Sequence, residues 1–328
     1  MGDPAGVGPE IIVKAWQATH ADGPSFVVVG DMDVLAASAN GVAPPLRRIA
    51  SPQDAAAIFP EALPVLDLPL QAGVVAGKPS PAHAQAVIRW IETGAGLALS
   101  GAVSGLVTAP IAKAPLYEAG FSFPGHTEYL GELTRSADAT AVRGPVMMLA
   151  APGLRTTLVT IHEPLSAVPA LLSVERIVAV GLVTAEALRR DFGIQHPHLA
   201  VAALNPHAGE TGALGREEIE IILPACHELR RLGVDCSDPK PADSLFHEEA
   251  RGGYDAVVCM YHDQALIPVK MLDFWGGVNI TLGLPIVRAS PDHGVGYDIA
   301  GRGVARPDSL IAALRTAGEI AQRRALAA

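Results

Sequence analysis

The sequence predicts an α/β fold in which parallel strands are covered on both faces. Short runs rich in Val, Leu and Thr recur along the chain, and longer stretches with helical spacing separate them. The residues past the strand ends are the third clue, because open α/β sheets bind ligands there. In chain order, strands are expected over 25–30, 105–109, 146–150, 156–161, 199–205, 256–261 and 278–282. Helices are expected over 9–18, 82–93, 174–192, 217–232 and 309–325. The first has Pro9 near its opening position, and Pro307 with Asp308 gives the last a start signal. The Pro- and Gly-rich stretch 41–81 reads as loops with weak elements. No internal repeat and no low-complexity linker divides the chain. A second domain is therefore expected as an insertion, with crossings near Gly125 and Asp273: residues 1–125 with 274–328 form one α/β domain, and 126–273 the other.

Composition sets the outer limits. With 328 residues, 49% of them hydrophobic, and a mean hydropathy of +0.30, the chain can bury a sizeable core. A formal charge of -10 and the lack of a Lys/Arg block argue against nucleic acid or an anionic membrane as partner. Cys226, Cys236 and Cys259 are odd in number and show no Cys-x-x-Cys spacing, so they read as core thiols of a reducing compartment. No apolar run approaches the roughly 20 residues that span a bilayer, and cytoplasmic residence is the expectation.

Three apolar runs finish on histidine: LVTIH at 158–162, ALNPH at 203–207 and VCMYH at 258–262. Neutral imidazole is a common ligand of divalent metals, and three protein ligands leave a position open for substrate. Each histidine alone is more often a hydrogen-bonded structural residue, but three at equivalent positions favour a metal site at His162, His207 and His262. Glu163, Glu210, Asp243 and Asp263 stand nearby, and Asp243 and Asp263 suit outer hydrogen-bonding or proton-transfer roles as well as they suit solvated loops.

Other segments point to a small anion. The turn GDPAGVGPE at 2–10 leads into a helix and presents backbone N–H groups, although turn-making explains its glycines almost as well. FPGHTE at 123–128 puts His126 and Thr127 at a helix start. Lys270, Asn279 and Arg288 flank the strand at 278–282 and could hold a phosphate or carboxylate. No Gly-x-Gly-x-x-Gly follows a strand, so an ordinary Rossmann dinucleotide site is not supported, and a nicotinamide cofactor would bind by another scheme.

These segments, with VTAPIAK at 107–113, LVTIHEPL at 158–165, LNPHAGE at 204–210, YHDQALIPVK at 261–270, GVNITLGLPIVRASPDHG at 277–294 and DIAGRGVARPDS at 298–309, resemble the 4-hydroxythreonine-4-phosphate dehydrogenase family of vitamin B6 biosynthesis. The likeness spans nearly the whole chain. It implies two α/β/α domains related to isocitrate and isopropylmalate dehydrogenases, whose cofactor site lacks the Rossmann fingerprint. It carries metal ligation onto His162, His207 and His262, and substrate binding onto His126, Thr127, Lys270, Asn279 and Arg288. It also implies a homodimer with shared active sites in the interdomain cleft. In the family a short apolar strand precedes the GDPAG turn, whereas Met1 stands directly before it here; either the numbering omits that strand or the strand is lacking, which would expose a sheet edge and weaken the fold.

The reaction the resemblance implies is oxidation of 4-phosphooxy-L-threonine at C3 by NAD or NADP, then loss of carbon dioxide to give 3-amino-2-oxopropyl phosphate. One divalent ion per site (zinc, magnesium or cobalt) is expected to serve both steps. His126 and Asp243 are the side-chain candidates for the hydroxyl proton, beside a metal-bound water. Alternatives are oxidation of threonate or erythronate 4-phosphate, a metal-dependent lyase or hydrolase that uses no nucleotide, and a silent metabolite binder.

Overall fold

The computed structural model describes residues 1–38, 44–123, 125–137 and 144–327. Pro124 of the FPGHTE segment and the start of the 41–81 stretch lie outside the described residues. The strands are β1 Val28–Gly30, β2 Leu46–Arg48, β3 Leu63–Asp67, β4 Leu106–Val107, β5 Val146–Ala151, β6 Leu154–Leu158, β7 His198–Ala202, β8 Asp235–Lys240, β9 Ala256–Cys259, β10 Val278–Leu282 and β11 Arg288–Pro291. Two compact units result: Met1–Ala137 with Pro285–Glu319, and Asp138–Leu284 with Ile320–Ala328.

In the first unit β1, β3 and β2 form a parallel sheet in that order, and β4 pairs in parallel with β11. The segment 41–81 therefore contributes two strands that its Pro and Gly content concealed. The helix Gly8–Thr19 buries Ile11, Ile12, Ala15 and Trp16 against Leu35, Phe59, Leu63 and Val65. Trp16 Nε1 donates to the Phe59 carbonyl at 2.9 Å, which satisfies the indole in the core. Four N–H groups of the GDPAGVG turn are taken up inside the protein. Asp3 N donates to Pro110 O, Ala5 N to the Asp3 carboxylate, Gly6 N to Asp3 O and Val7 N to Val295 O. Close packing explains its glycines: at Gly2, with φ +79°, a Cβ would lie 2.6 Å from Pro110 O.

In the second unit the strand order is β10-β5-β6-β9-β7-β8. β5 is antiparallel to both neighbours, and β6, β9, β7 and β8 run parallel. β9 is buried at all four positions, as expected of a strand covered on both faces. The helix Val174–Phe192 follows the sequence reading from end to end. Ser173 caps it by accepting from Arg176 N at 3.2 Å, and Gly193 ends it with φ 73°. The core joins Leu149, Leu158, Ala200, Val257 and Cys259 from the sheet to Ala265 and Val269 of a helix, His262–Leu272. All three cysteines are free and buried. Among the described residues no single helix is long and apolar enough to cross a membrane.

Candidate functional site

The three histidine-bearing turns belong to the second unit and follow β6, β7 and β9. These strands are parallel neighbours, so the turns leave one edge of the sheet. The strands do not run up to the histidines as the sequence suggested. β6 ends at Leu158, β7 at Ala202 and β9 at Cys259, so each imidazole stands on irregular backbone or, for His262, on the first residue of a helix.

His162 and His262 come together, with ring centroids 5.6 Å apart and planes tilted by 41°. His262 Nδ1 lies 2.7 Å from Asp263 Oδ1, a carboxylate that can orient the ring. His207 Nδ1 lies 3.5 Å from Glu210 Oε2, and both side chains are exposed. Imidazoles with a carboxylate at Nδ1 are a donor set that fits zinc or another borderline divalent ion. Among the described residues, no group of three His, Cys, Asp or Glu side chains within one chain is arranged to hold a metal.

His207 sits in an uncommon backbone. Residues 207–211 all have positive φ, from 44° to 77°, and four of the five are not glycine. The left-handed conformation costs an L-residue about 1–2 kcal/mol, and it persists where surrounding contacts over-determine it. The turn Ala242–Ser244 packs against this one, which brings exposed Asp243 to the neighbourhood of His207. Lys270 closes the helix that His262 opens, with Nζ 5.3 Å from the centre of the Phe274 ring. Asn279 lies within β10, and its buried Oδ1 has no hydrogen-bond partner, a group suited to a ligand donor.

The remaining candidates lie in the first unit. His126 and Thr127 open the helix His126–Leu133, whose first turn has no side-chain cap, so its N–H groups can take an anion. Arg288 begins β11 and is only 3% exposed, and its Nη2 donates to Thr108 Oγ1 at 2.7 Å. Burial pushes the guanidinium down to about 10, against the opposing pull of Glu128. Burial likewise holds His126 well below the ordinary imidazole range, and the positive charge of Arg288 adds to this. His126 is therefore neutral at physiological pH. Behind it Phe121, Phe123 and Tyr129 pack ring to ring at 4.9–5.5 Å, and the Tyr129 hydroxyl donates to Glu92 at 2.7 Å. The sequence reading did not single out Thr108, although it lies inside a segment that carries the resemblance.

Fold and side chains together define an α/β protein with imidazoles past one sheet edge and a desolvated cation beside an open helix start, a layout suited to a small anionic metabolite. A profile described as "Pyridoxal phosphate biosynthetic protein PdxA" matches residues 22–317, and the chain belongs to that family. It is 70% identical over 323 residues to a 4-hydroxythreonine-4-phosphate dehydrogenase of Caulobacter vibrioides, covering 98% of this chain and 96% of that one. A Maricaulis maris protein of the same name is 56% identical, with 99% and 97% covered. The crystal structure of the Klebsiella pneumoniae 4-hydroxythreonine-4-phosphate dehydrogenase superposes with a TM-score of 0.87 at 41% identity, covering 98% of each chain.

Proposed function

We propose that this protein is itself a 4-hydroxythreonine-4-phosphate dehydrogenase. In this reading it oxidises 4-phosphooxy-L-threonine with NAD or NADP and releases carbon dioxide and 3-amino-2-oxopropyl phosphate for pyridoxal phosphate synthesis. The observation that carries the proposal is the buried Arg288 beside neutral His126 at an uncapped helix start. A desolvated guanidinium costs free energy to bury, and a phosphorylated ligand would repay it.

Arg288, His126 and Thr127 are assigned to binding and orienting the substrate, and Lys270 and Asn279 to its other polar groups. A bound nicotinamide would supply the hydride acceptor, and the hydroxyl proton at C3 would need a base. His126, kept neutral by burial, can accept it, and Asp243 is the second candidate. His162, His207 and His262 would hold a zinc, magnesium or cobalt ion, which when bound supplies Lewis acidity to the C3 oxygen and to the ketone that loses carbon dioxide.

The same reading makes the protein a cytoplasmic homodimer with shared active sites. Free buried thiols support the compartment. Exposed Ile267, Met271, Leu272, Phe274 and Trp275, on and just after the helix that carries His262 and Lys270, support the dimer, since a second copy would cover them. Met271→Asp should weaken self-association in sedimentation, and an unchanged dimer would remove that face from the interface.

The activity test is NADH formation by the purified protein with a divalent ion, NAD and 4-phosphooxy-L-threonine, run beside threonate and erythronate 4-phosphates. Turnover of the amino acid phosphate is expected. Turnover of only the hydroxy acids would replace the substrate and keep the class, and product formed without NAD would overturn the dehydrogenase reading.

A further inference from the structure

Side chains buried beneath the histidine turns link those turns to one another. Past the end of β6, Thr160 Oγ1 donates to the Met260 carbonyl at 2.7 Å, and Thr160 N donates to the same oxygen at 3.2 Å. This ties the backbone two residues before His162 to the backbone two residues before His262. Gln264 then spans two strand ends. Its Oε1 accepts from Met260 N at 2.7 Å, and its Nε2 donates to the Ala203 carbonyl at 2.6 Å, past the end of β7. Glu218 continues from there: Oε1 accepts from Leu204 N at 2.8 Å and Asn205 N at 2.7 Å, and Oε2 from Asn205 Nδ2 at 3.0 Å. Glu218 opens a π-helical stretch, Glu218–Ile222, and is 3% exposed, so its carboxylate lies inside the protein against the turn that carries His207.

The left-handed run is built on that carboxylate. At Gly209, in the middle of the run, a Cβ would lie 2.7 Å from Glu218 Oε2, so the turn packs directly on it. A run of positive φ in His207, Ala208, Glu210 and Thr211 needs contacts that hold it, and Glu218 fixes the two residues through which β7 leads into it. Gln264 has the matching role between β9 and β7. Both side chains are buried, with their polar atoms bonded to the backbone beneath the turns.

We infer that Glu218 and Gln264 are positioning residues, forming with Thr160 a hydrogen-bonded belt that fixes the turns on which His162, His207 and His262 stand, and with them the imidazoles that each chain brings to a shared site, and so tunes affinity for a divalent ion. The inference rests on the metal-site reading above. Partners that orient metal ligands typically change metal affinity by about 10- to 100-fold when lost. Gln at position 218 keeps the volume but can turn an NH₂ toward donors, and Met at position 264 keeps the volume and removes both bonds.

The test is titration of the metal-free full-length protein with cobalt(II), followed by its visible absorption, for wild type, Glu218→Gln, Gln264→Met and Asp191→Asn. Asp191 is an equally buried carboxylate whose bonds run to Arg190 and Arg324 rather than to the histidine turns, and it controls for loss of stability alone. Each titration is run well below that variant's melting temperature. The expected result is cobalt affinity about 10- to 100-fold weaker in Glu218→Gln or Gln264→Met, with wild-type affinity in Asp191→Asn. If one belt variant fails to fold, the other decides. Wild-type affinity in a folded belt variant, or equal loss in Asp191→Asn, overturns the inference and leaves the metal site standing. A wild-type protein that does not bind cobalt overturns both.

Discussion

The two ligand-bearing regions are built on opposite principles. In the second unit the imidazoles are reachable from solvent, and the protein's effort goes into the backbone beneath them, held by Thr160, Gln264 and Glu218. In the first unit the functional groups are themselves desolvated: Arg288 is buried and His126 is held neutral. On the proposed reading, one region would recognise by geometry and the other by electrostatics in a low dielectric. Substitutions in the two should therefore have separable effects.

The largest separation is expected from His262→Ala. Removing a direct ligand should cost more than the roughly 100-fold upper range of an outer partner in cobalt affinity. Inorganic phosphate binding, measured by calorimetry, should be retained. Loss of phosphate binding in this variant would mean that the regions are not independent. Arg288→Lys is the converse. A hydrogen bond to a charged group contributes about 1.5–3 kcal/mol, so phosphate affinity should fall about 10- to 100-fold, with cobalt affinity unchanged. A lysine variant that binds phosphate as wild type does would remove Arg288 from the anion site.

The smallest effect concerns pH and stability. The folded-state pKa of His126 lies well below its ordinary 6.5, so below that pH the unfolded chain binds a proton that the folded one refuses. Stability from this group is fully present above pH 6.5 and declines as pH falls, by at most about 1.4 kcal/mol per pH unit, until the folded pKa is reached. Denaturant unfolding of wild type and His126→Gln should diverge in slope across that window. Parallel slopes would show that His126 takes its proton as freely in the folded protein as in the unfolded chain.

Regular backbone was legible in the sequence, and the backbone of the site was not. Val278–Leu282 and Val174–Phe192 match the pattern reading, because an apolar strand and an amphipathic helix with Ser before and Gly after are self-declaring. β8, Asp235–Lys240, has the sequence DCSDPK and only one buried position, and its pairing to β7 includes a register shift, so no alternation announces it. The helix His262–Leu272 carries Pro268 inside and reads as a loop after a strand. The candidate residues His162, His207, His262, His126 and Arg288 could be picked out by residue type and position. What fixes them was not: a left-handed run at His207 and Ala208 has no propensity signal, and Glu218 looks like any acidic residue on a helix.

The left-handed turn also bears on the order of assembly. A peptide covering residues 205–215, cut from the protein, would relax to right-handed or extended backbone at His207, Ala208, Glu210 and Thr211, where the left-handed form costs an L-residue energy. The shape is inherited from the sheet and from one buried carboxylate, so the chain must fold before His207 can present its ring. If His207 binds an ion as proposed, the ion would meet a turn that is already made, and the metal-free protein should already carry the form that the loaded protein uses.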